Sequence, residues 1–203
     1  MRNILVHGLG QNASSWDKVC EYLDFDCCCP NLPELTAGKT VNYSNLYEGF
    51  VKNCGDFSEM LNICGLSLGG ILALNYAIDF PDRVSSLVLV GTQYRMPKAM
   101  LKLQNVIFRF MPKSAFNEMG FGKADFIGLS KSMMYLDFSA ELERISCSTM
   151  VIVGEKDKPN RKAAVEMTDK IRDCELKVIN GAGHEVNVGS PQELVDLLSG
   201  FWT

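Results

Sequence analysis

Residues 62–77, NICGLSLGGILALNYA, begin as an apolar run, crowd three glycines and one serine into six residues, and continue as a helix former. Glycine is costly inside regular structure, and a hydroxyl adds nothing to packing there. The pattern therefore demands a sharp strand-to-helix turn with Ser67 at its apex. Gly65-Leu66-Ser67-Leu68-Gly69 fits G-x-S-x-G, in which side chains two residues either side of the serine would strike the neighbouring elements. The helix that follows aims backbone N–H groups at the same point.

Around this turn the chain alternates. Short β-branched or apolar runs at 4–6, 25–29, 62–66, 86–90, 149–153 and 176–179 predict strands. Between the first two, Trp16, Val19, Cys20 and Leu23 form one helical stripe, with Ser14 or Ser15 as its expected cap. Helices are also expected over 71–79, stopped before Pro81, and over 160–171. A last helix opens with Ser190-Pro191-Gln192-Glu193, which reads as a capping box with proline in the first turn. Strands alternating with helices mean right-handed crossovers and a mainly parallel sheet covered on both faces.

A serine hydroxyl alone is a weak nucleophile and needs a base, an orienting acid and donors for an oxyanion. Asp157 follows the strand at 149–153 and His184 follows the strand at 176–179, so both fall on the sheet edge where sites form. Glu155 shares the turn with Asp157 and is the competing carboxylate. The loop after the strand at 86–90, Gly91-Thr92-Gln93-Tyr94, offers none. After the first strand, His7-Gly8-Leu9-Gly10 can present the Leu9 N–H to an oxyanion, and Leu68 can present another.

With these residues in order, the sequence resembles the α/β-hydrolase superfamily, in its small single-domain esterase-like branch. The likeness runs through VHGLG, GLSLGG, FPDRVSSLVLVGT, VIVGEKD and GAGHEVN, over nearly the whole chain. It implies a catalytic triad of Ser67, His184 and Asp157, with Leu9 and Leu68 as the oxyanion hole and His7 as a structural brace. It also implies hydrolysis of a small or medium-chain carboxylic ester or thioester through an acyl-serine, with no metal or organic cofactor. Relatives with dehalogenase or epoxide hydrolase chemistry carry aspartate at the elbow, where this chain has Ser67. Family members usually have two strands before the HG strand, whereas this chain begins almost on it, so a minimal sheet of about six parallel strands is expected. Two other readings stay open. In one the same triad passes the acyl group to an alcohol, amine or peroxide, as an acyltransferase or perhydrolase does. In the other the fold is kept for ligand sensing, with vestigial turnover.

Residues 93–143 break the alternation. Such a length without a strand signal is too great for a simple connection and is expected to be helical, a lid within a single domain spanning 1–203. It holds Met96, Met100, Met111, Met119, Met133 and Met134 and six of the eleven phenylalanines. That composition suits helical packing against the main domain, and equally an adaptable apolar acyl pocket. Asp125 and Asp137 lie in this segment and read as surface charges. From residue 95 to residue 131 stand seven basic residues (Arg95, Lys98, Lys102, Arg109, Lys113, Lys123, Lys131) against Glu118 and Asp125, in a chain of net charge −4. A solvated helix face accounts for this, as does attraction of an anionic substrate or an anionic membrane surface.

The mild acidity argues against a nucleic-acid partner, and no apolar run is long enough to span a bilayer. The N-terminus does not read as a signal peptide. Eight cysteines, three of them consecutive at Cys27, Cys28 and Cys29, show neither disulfide nor chelate spacing. They are expected to be reduced, in a cytoplasmic protein. The natural ester and the oligomeric state are left open by the sequence.

Overall fold

The structure, a computed structural model, describes residues 1–116 and 120–202, so Glu118 and Met119 lie outside the described residues. The chain opens on β1 (Arg2–Val6), followed by a 3-10 turn (Ala13–Trp16) that leads into α1 (Asp17–Tyr22). The turn is capped by Asn12, whose side chain accepts from the Ser14 N–H, and α1 itself has no side-chain cap. The expected caps Ser14 and Ser15 thus lie inside the turn that Asn12 starts. Strand β2 is only Cys27–Cys28, shorter than the run at 25–29, and leads to the single-turn α2 (Leu32–Leu35) and the long α3 (Tyr43–Gly55).

Next come β3 (Leu61–Leu66), α4 (Leu68–Asp79) and β4 (Val84–Val90). The segment that breaks the alternation carries α5 (Lys98–Phe110) and α6 (Lys123–Met133). The chain then resumes its rhythm with β5 (Ser148–Gly154), α7 (Lys158–Lys170) and β6 (Cys174–Ile179), and ends on α8 (Val186–Gly189) and α9 (Pro191–Phe201). Helix α9 begins as expected with Ser190 at the cap and proline at the first position, but the Ser190 side chain makes no capping bond. The capping box is present in sequence and absent in geometry, because α8 delivers Ser190 with φ −145° and ψ 54°.

All six strands are parallel, in the order β2-β1-β3-β4-β5-β6. Side chains alternate across the sheet with the period of two that strands impose. Ile4, Val6, Ile63, Leu87, Leu89, Val151 and Val153 face α3, α4 and α7, whereas Leu5, Cys64, Val88, Val90, Met150 and Ile152 face α1, α8 and α9. Two apolar layers result, one on each face, as a parallel sheet requires.

The strand order decides where a site can form. From β1 the chain moves outward to β2, then returns to place β3 on the other side of β1. The loops after β1 and β3 therefore diverge at a switch point, leaving a crevice at the carboxyl ends of the strands. Leu9 and Ser67 stand at that crevice.

Candidate active site

Ser67 follows β3 and stands at the N-cap of α4 with φ 53° and ψ −111°, the one non-glycine residue at positive φ among the described residues. Such a conformation costs roughly 1–3 kcal/mol and persists only where its surroundings enforce it. Here they do. The Ser67 N–H donates to the Val90 carbonyl of β4 at 2.8 Å, prolonging the sheet ladder through the turn. A β-carbon on Gly65 would come within 2.4 Å of the Gly69 backbone, and one on Gly69 within 2.2 Å of the Val6 carbonyl oxygen. The two glycines are what let β3, α4 and β1 close around the serine.

Asp157 lies at the start of α7, directly after β5, and is buried. Its Oδ2 is 2.7 Å from Nδ1 of His184, in the loop after β6. Burial opposes ionisation of Asp157, but hydrogen bonds from His184 and Asn160 outweigh it and hold the carboxyl below its ordinary range. With Nδ1 committed to the carboxylate, the other ring nitrogen is the one available for proton transfer. Ser67 and His184 line one cavity of about 230 Å³, together with Leu9 and Leu68. Leu68 is the first residue of α4, so its N–H has no acceptor within the helix.

Glu155 is accounted for differently. Its Oε2 accepts the Gly181 N–H at 2.7 Å, so it braces the loop that carries His184. The Lys156 N–H adds a bond to the Ala182 carbonyl, zipping the two loops together. His7 is fully buried: its Nε2 accepts the Leu32 N–H at 3.0 Å, and its Nδ1 lies 2.9 Å from the Gly8 carbonyl. Those partners fix the neutral tautomer with the proton on Nδ1. Burial pushes its pKa below the ordinary histidine value, against the bond to Gly8. It shapes the loop bearing Leu9 and is turned away from the cavity's chemistry.

Four residues escaped the sequence reading. Asn160, one turn into α7, donates Nδ2 to both Asp157 oxygens at 2.9 Å, and its own Oδ1 accepts from Gln93 at 2.8 Å. Gln93 and Asn160 both line the cavity. Gln11 pairs its amide reciprocally with buried Asn187, tying the Leu9 loop to the segment after His184. A D-x-x-N spacing at the start of a helix is the only signal for Asn160 in the sequence. The amide pairs leave none.

The opposite wall comes from residues 93–143. The neck of this segment is closed by backbone bonds from Met96 to Leu136 and from Phe138 to Tyr94, around an isolated antiparallel bridge of Arg95 with Asp137. Met96, Met100, Leu101 and Met133 supply apolar surface to the cavity. Phe108, Phe116, Phe121 and Phe126 instead make an aromatic cluster with mostly edge-on rings. The two sequence readings thus divide by residue type, with three of the methionines at the cavity and four of the six phenylalanines in packing. Asp125 caps α6 by accepting the Gly122 N–H, and Asp137 is bound by Ser139.

The eight cysteines are free thiols. Among the described residues no helix is long and apolar enough to cross a membrane, and no cluster of side chains suits a metal ion.

Comparison with known proteins agrees with this fold. The human monoacylglycerol lipase ABHD6 is 22% identical, over 98% of this chain and 74% of that protein. A pimeloyl-[acyl-carrier protein] methyl ester esterase of Vibrio parahaemolyticus is 31% identical, over 44% of this chain and 36% of its own. A crystal structure from a study of carboxylesterases of the thaumarchaeon Nitrososphaera gargenis superimposes with a TM-score of 0.84 at 20% identity, covering 99% of this chain and 89% of that one. Residues 4–119, more than half of the chain, match the family model described as the alpha/beta hydrolase fold. On the strength of that match, of the six-stranded parallel sheet and of the strained serine at its switch point, the chain belongs to the α/β-hydrolase fold family.

Proposed function

We propose that the chain is a serine hydrolase that cleaves a small or medium-chain carboxylic ester or thioester through an acyl-Ser67 intermediate. The observation that carries this reading is the 2.7 Å contact of His184 with Asp157, on a ring that borders the same cavity as the strained Ser67. The relatives named as a monoacylglycerol lipase and a methyl ester esterase support ester hydrolysis in general. A cavity of about 230 Å³ lies below the usual range for drug-sized ligands, which favours a modest acyl group.

In the proposed scheme the Ser67 hydroxyl attacks the carbonyl carbon as His184 Nε2 takes its proton. Asp157 holds the imidazole in the right tautomer and stabilises its cationic form. The Leu9 and Leu68 N–H groups meet the oxyanion, and losing one such donor costs roughly 3 kcal/mol in the transition state. Collapse breaks the bond to the leaving alcohol, which takes the proton from Nε2. Water then gives its proton to Nε2, attacks the acyl carbon and releases a carboxylic acid as the proton returns to Ser67. Every proton in the cycle is handled by these residues, without a metal or organic cofactor. Residues 93–143 act as the lid of the single domain, and the usage of cysteine as a small apolar residue fits a cytoplasmic setting.

A fluorophosphonate probe tests the scheme. One covalent adduct on Ser67, abolished by Ser67→Ala, is the expected result. A folded wild-type protein that stays unlabelled and turns over none of a graded series of p-nitrophenyl esters overturns it.

A further inference from the structure

Helix α5 carries two apolar faces. Leu101 and Asn105 are buried, and Phe108 packs against Phe116 and Phe126. On the other side of the helix Met100, Leu103, Ile107 and Phe110 recur at i, i+3, i+7 and i+10, with Val106 beside them, and all five are exposed. Leu103 is 62% exposed and Phe110 86%, values that fit neither core packing nor a chance single contact with water. The other large exposed apolar residues among those described are scattered over the molecule. An apolar stripe concentrated on one helix face marks a surface that meets something.

Charge says what it meets. Lys98, Lys102 and Arg109 form a third stripe on α5, and Arg95 and Lys113 flank its ends. Over residues 95–113 there are five basic side chains and no acidic one, in a chain whose net charge is −4. All five are exposed, and Lys98 rests over the ring of the exposed Tyr135. A helix with an outward apolar stripe bordered by cations alone is the pattern of a segment lying in a lipid interface. The same helix supplies Pro97 at its cap, Met100, Leu101 and Gln104 to the wall of the cavity that holds Ser67.

We propose that α5 docks on an anionic lipid surface, with Leu103, Val106, Ile107 and Phe110 entering the acyl boundary and Lys98, Lys102 and Arg109 meeting the headgroups. Docking of this helix sets the mouth of the cavity against the bilayer. Resting on the proposed esterase activity, the substrate class is then an amphiphilic ester drawn from the membrane rather than one met in free solution. Lys123, which donates to the Arg109 and Met111 carbonyls, closes the carboxyl end of α5 and holds the helix as a unit during docking.

Sedimentation of the full chain with phosphatidylcholine vesicles, with and without phosphatidylglycerol, tests the surface. Binding is expected to require phosphatidylglycerol and to weaken as salt is raised. Lys102→Gln with Arg109→Gln should weaken it roughly twenty-five-fold, at about fivefold for each cation removed. Leu103→Asp with Phe110→Asp should abolish it. Both pairs should keep the wild-type rate on a soluble p-nitrophenyl ester, which certifies the fold, and lose rate on the same ester group presented in vesicles. Ser67→Ala should bind vesicles like the wild type, so docking is read independently of catalysis: vesicle binding without turnover defeats only the esterase reading, and turnover without binding defeats only this one. Absence of binding, or equal binding to phosphatidylcholine alone, overturns the proposal. So does a dimer in sedimentation velocity that Phe110→Asp converts to monomer without any effect of lipid, since the stripe would then belong to a second copy.

Discussion

On the sheet side of the cavity, polar groups are paired several deep: Gln93 to Asn160, Asn160 to Asp157, Asp157 to His184, with Gln11 and Asn187 behind the Leu9 loop. On the helical side, Asn105 Oδ1 and Ser130 Oγ are buried without a hydrogen-bond partner, and Ser130 borders the cavity together with Met96, Met100 and Met133. A network satisfied throughout fixes atoms to within a hydrogen bond's tolerance, whereas unpaired groups amid thioethers fix little. The difference suits a division of labour. In the scheme proposed above, proton transfer requires one geometry, and accommodating an acyl group requires several.

The largest test of that contrast is Asp157→Asn. The amide keeps the shape of the paired wall but no longer holds His184 in the productive tautomer or stabilises its cation. A loss of about four orders of magnitude in kcat is expected, measured on a p-nitrophenyl ester, with the fold retained. A variant within tenfold of wild type would mean that the pairing on this wall is structural only.

A finer test is Asn160→Ala. It leaves Asp157 bonded to His184 and removes the two bonds from the amide. Hydrogen bonds to a charged group contribute about 1.5–3 kcal/mol, so kcat should drop about tenfold and thermal stability should fall as well. Wild-type kcat in this variant would show that Asp157 is positioned by His184 alone, and that the deeper pairs do not reach the chemistry.

How much of this was legible follows the same line. Strand alternation, the turn at Ser67 and the loops that carry Asp157 and His184 were readable because each is written in a few consecutive residues with a steric reason for their order. Helix α3 was missed, although Tyr43, Leu46, Phe50 and Cys54 are its buried face, because that stripe is narrow and set among polar residues. The caps misled where two polar residues competed, as Asn12 did with Ser14, or where the preceding turn dictated the backbone, as at Ser190. Asn160, Gln93 and Gln11 gave almost no signal, since an amide acquires a role from whatever the fold brings opposite it. The same holds for residues 93–143, whose composition shows that they are apolar and basic without showing which face of α5 is turned outward.

The smallest effect has the opposite sign to the Asn160 result and so probes the contrast most directly. Both substitutions delete a buried polar group, but Ser130 on α6 has no partner to lose. Leaving a hydroxyl buried and unbonded costs about 1–3 kcal/mol, while removing one oxygen from a helix creates only a small void. Ser130→Ala should therefore stabilise the protein by about 1 kcal/mol, raising Tm by roughly 2–4 °C, where Asn160→Ala lowers it. Calorimetry on the two variants beside the wild type reads both signs at once. If Tm falls in both, the Ser130 hydroxyl is paired, through a bound water for instance, and the helical wall is held as firmly as the sheet wall it faces.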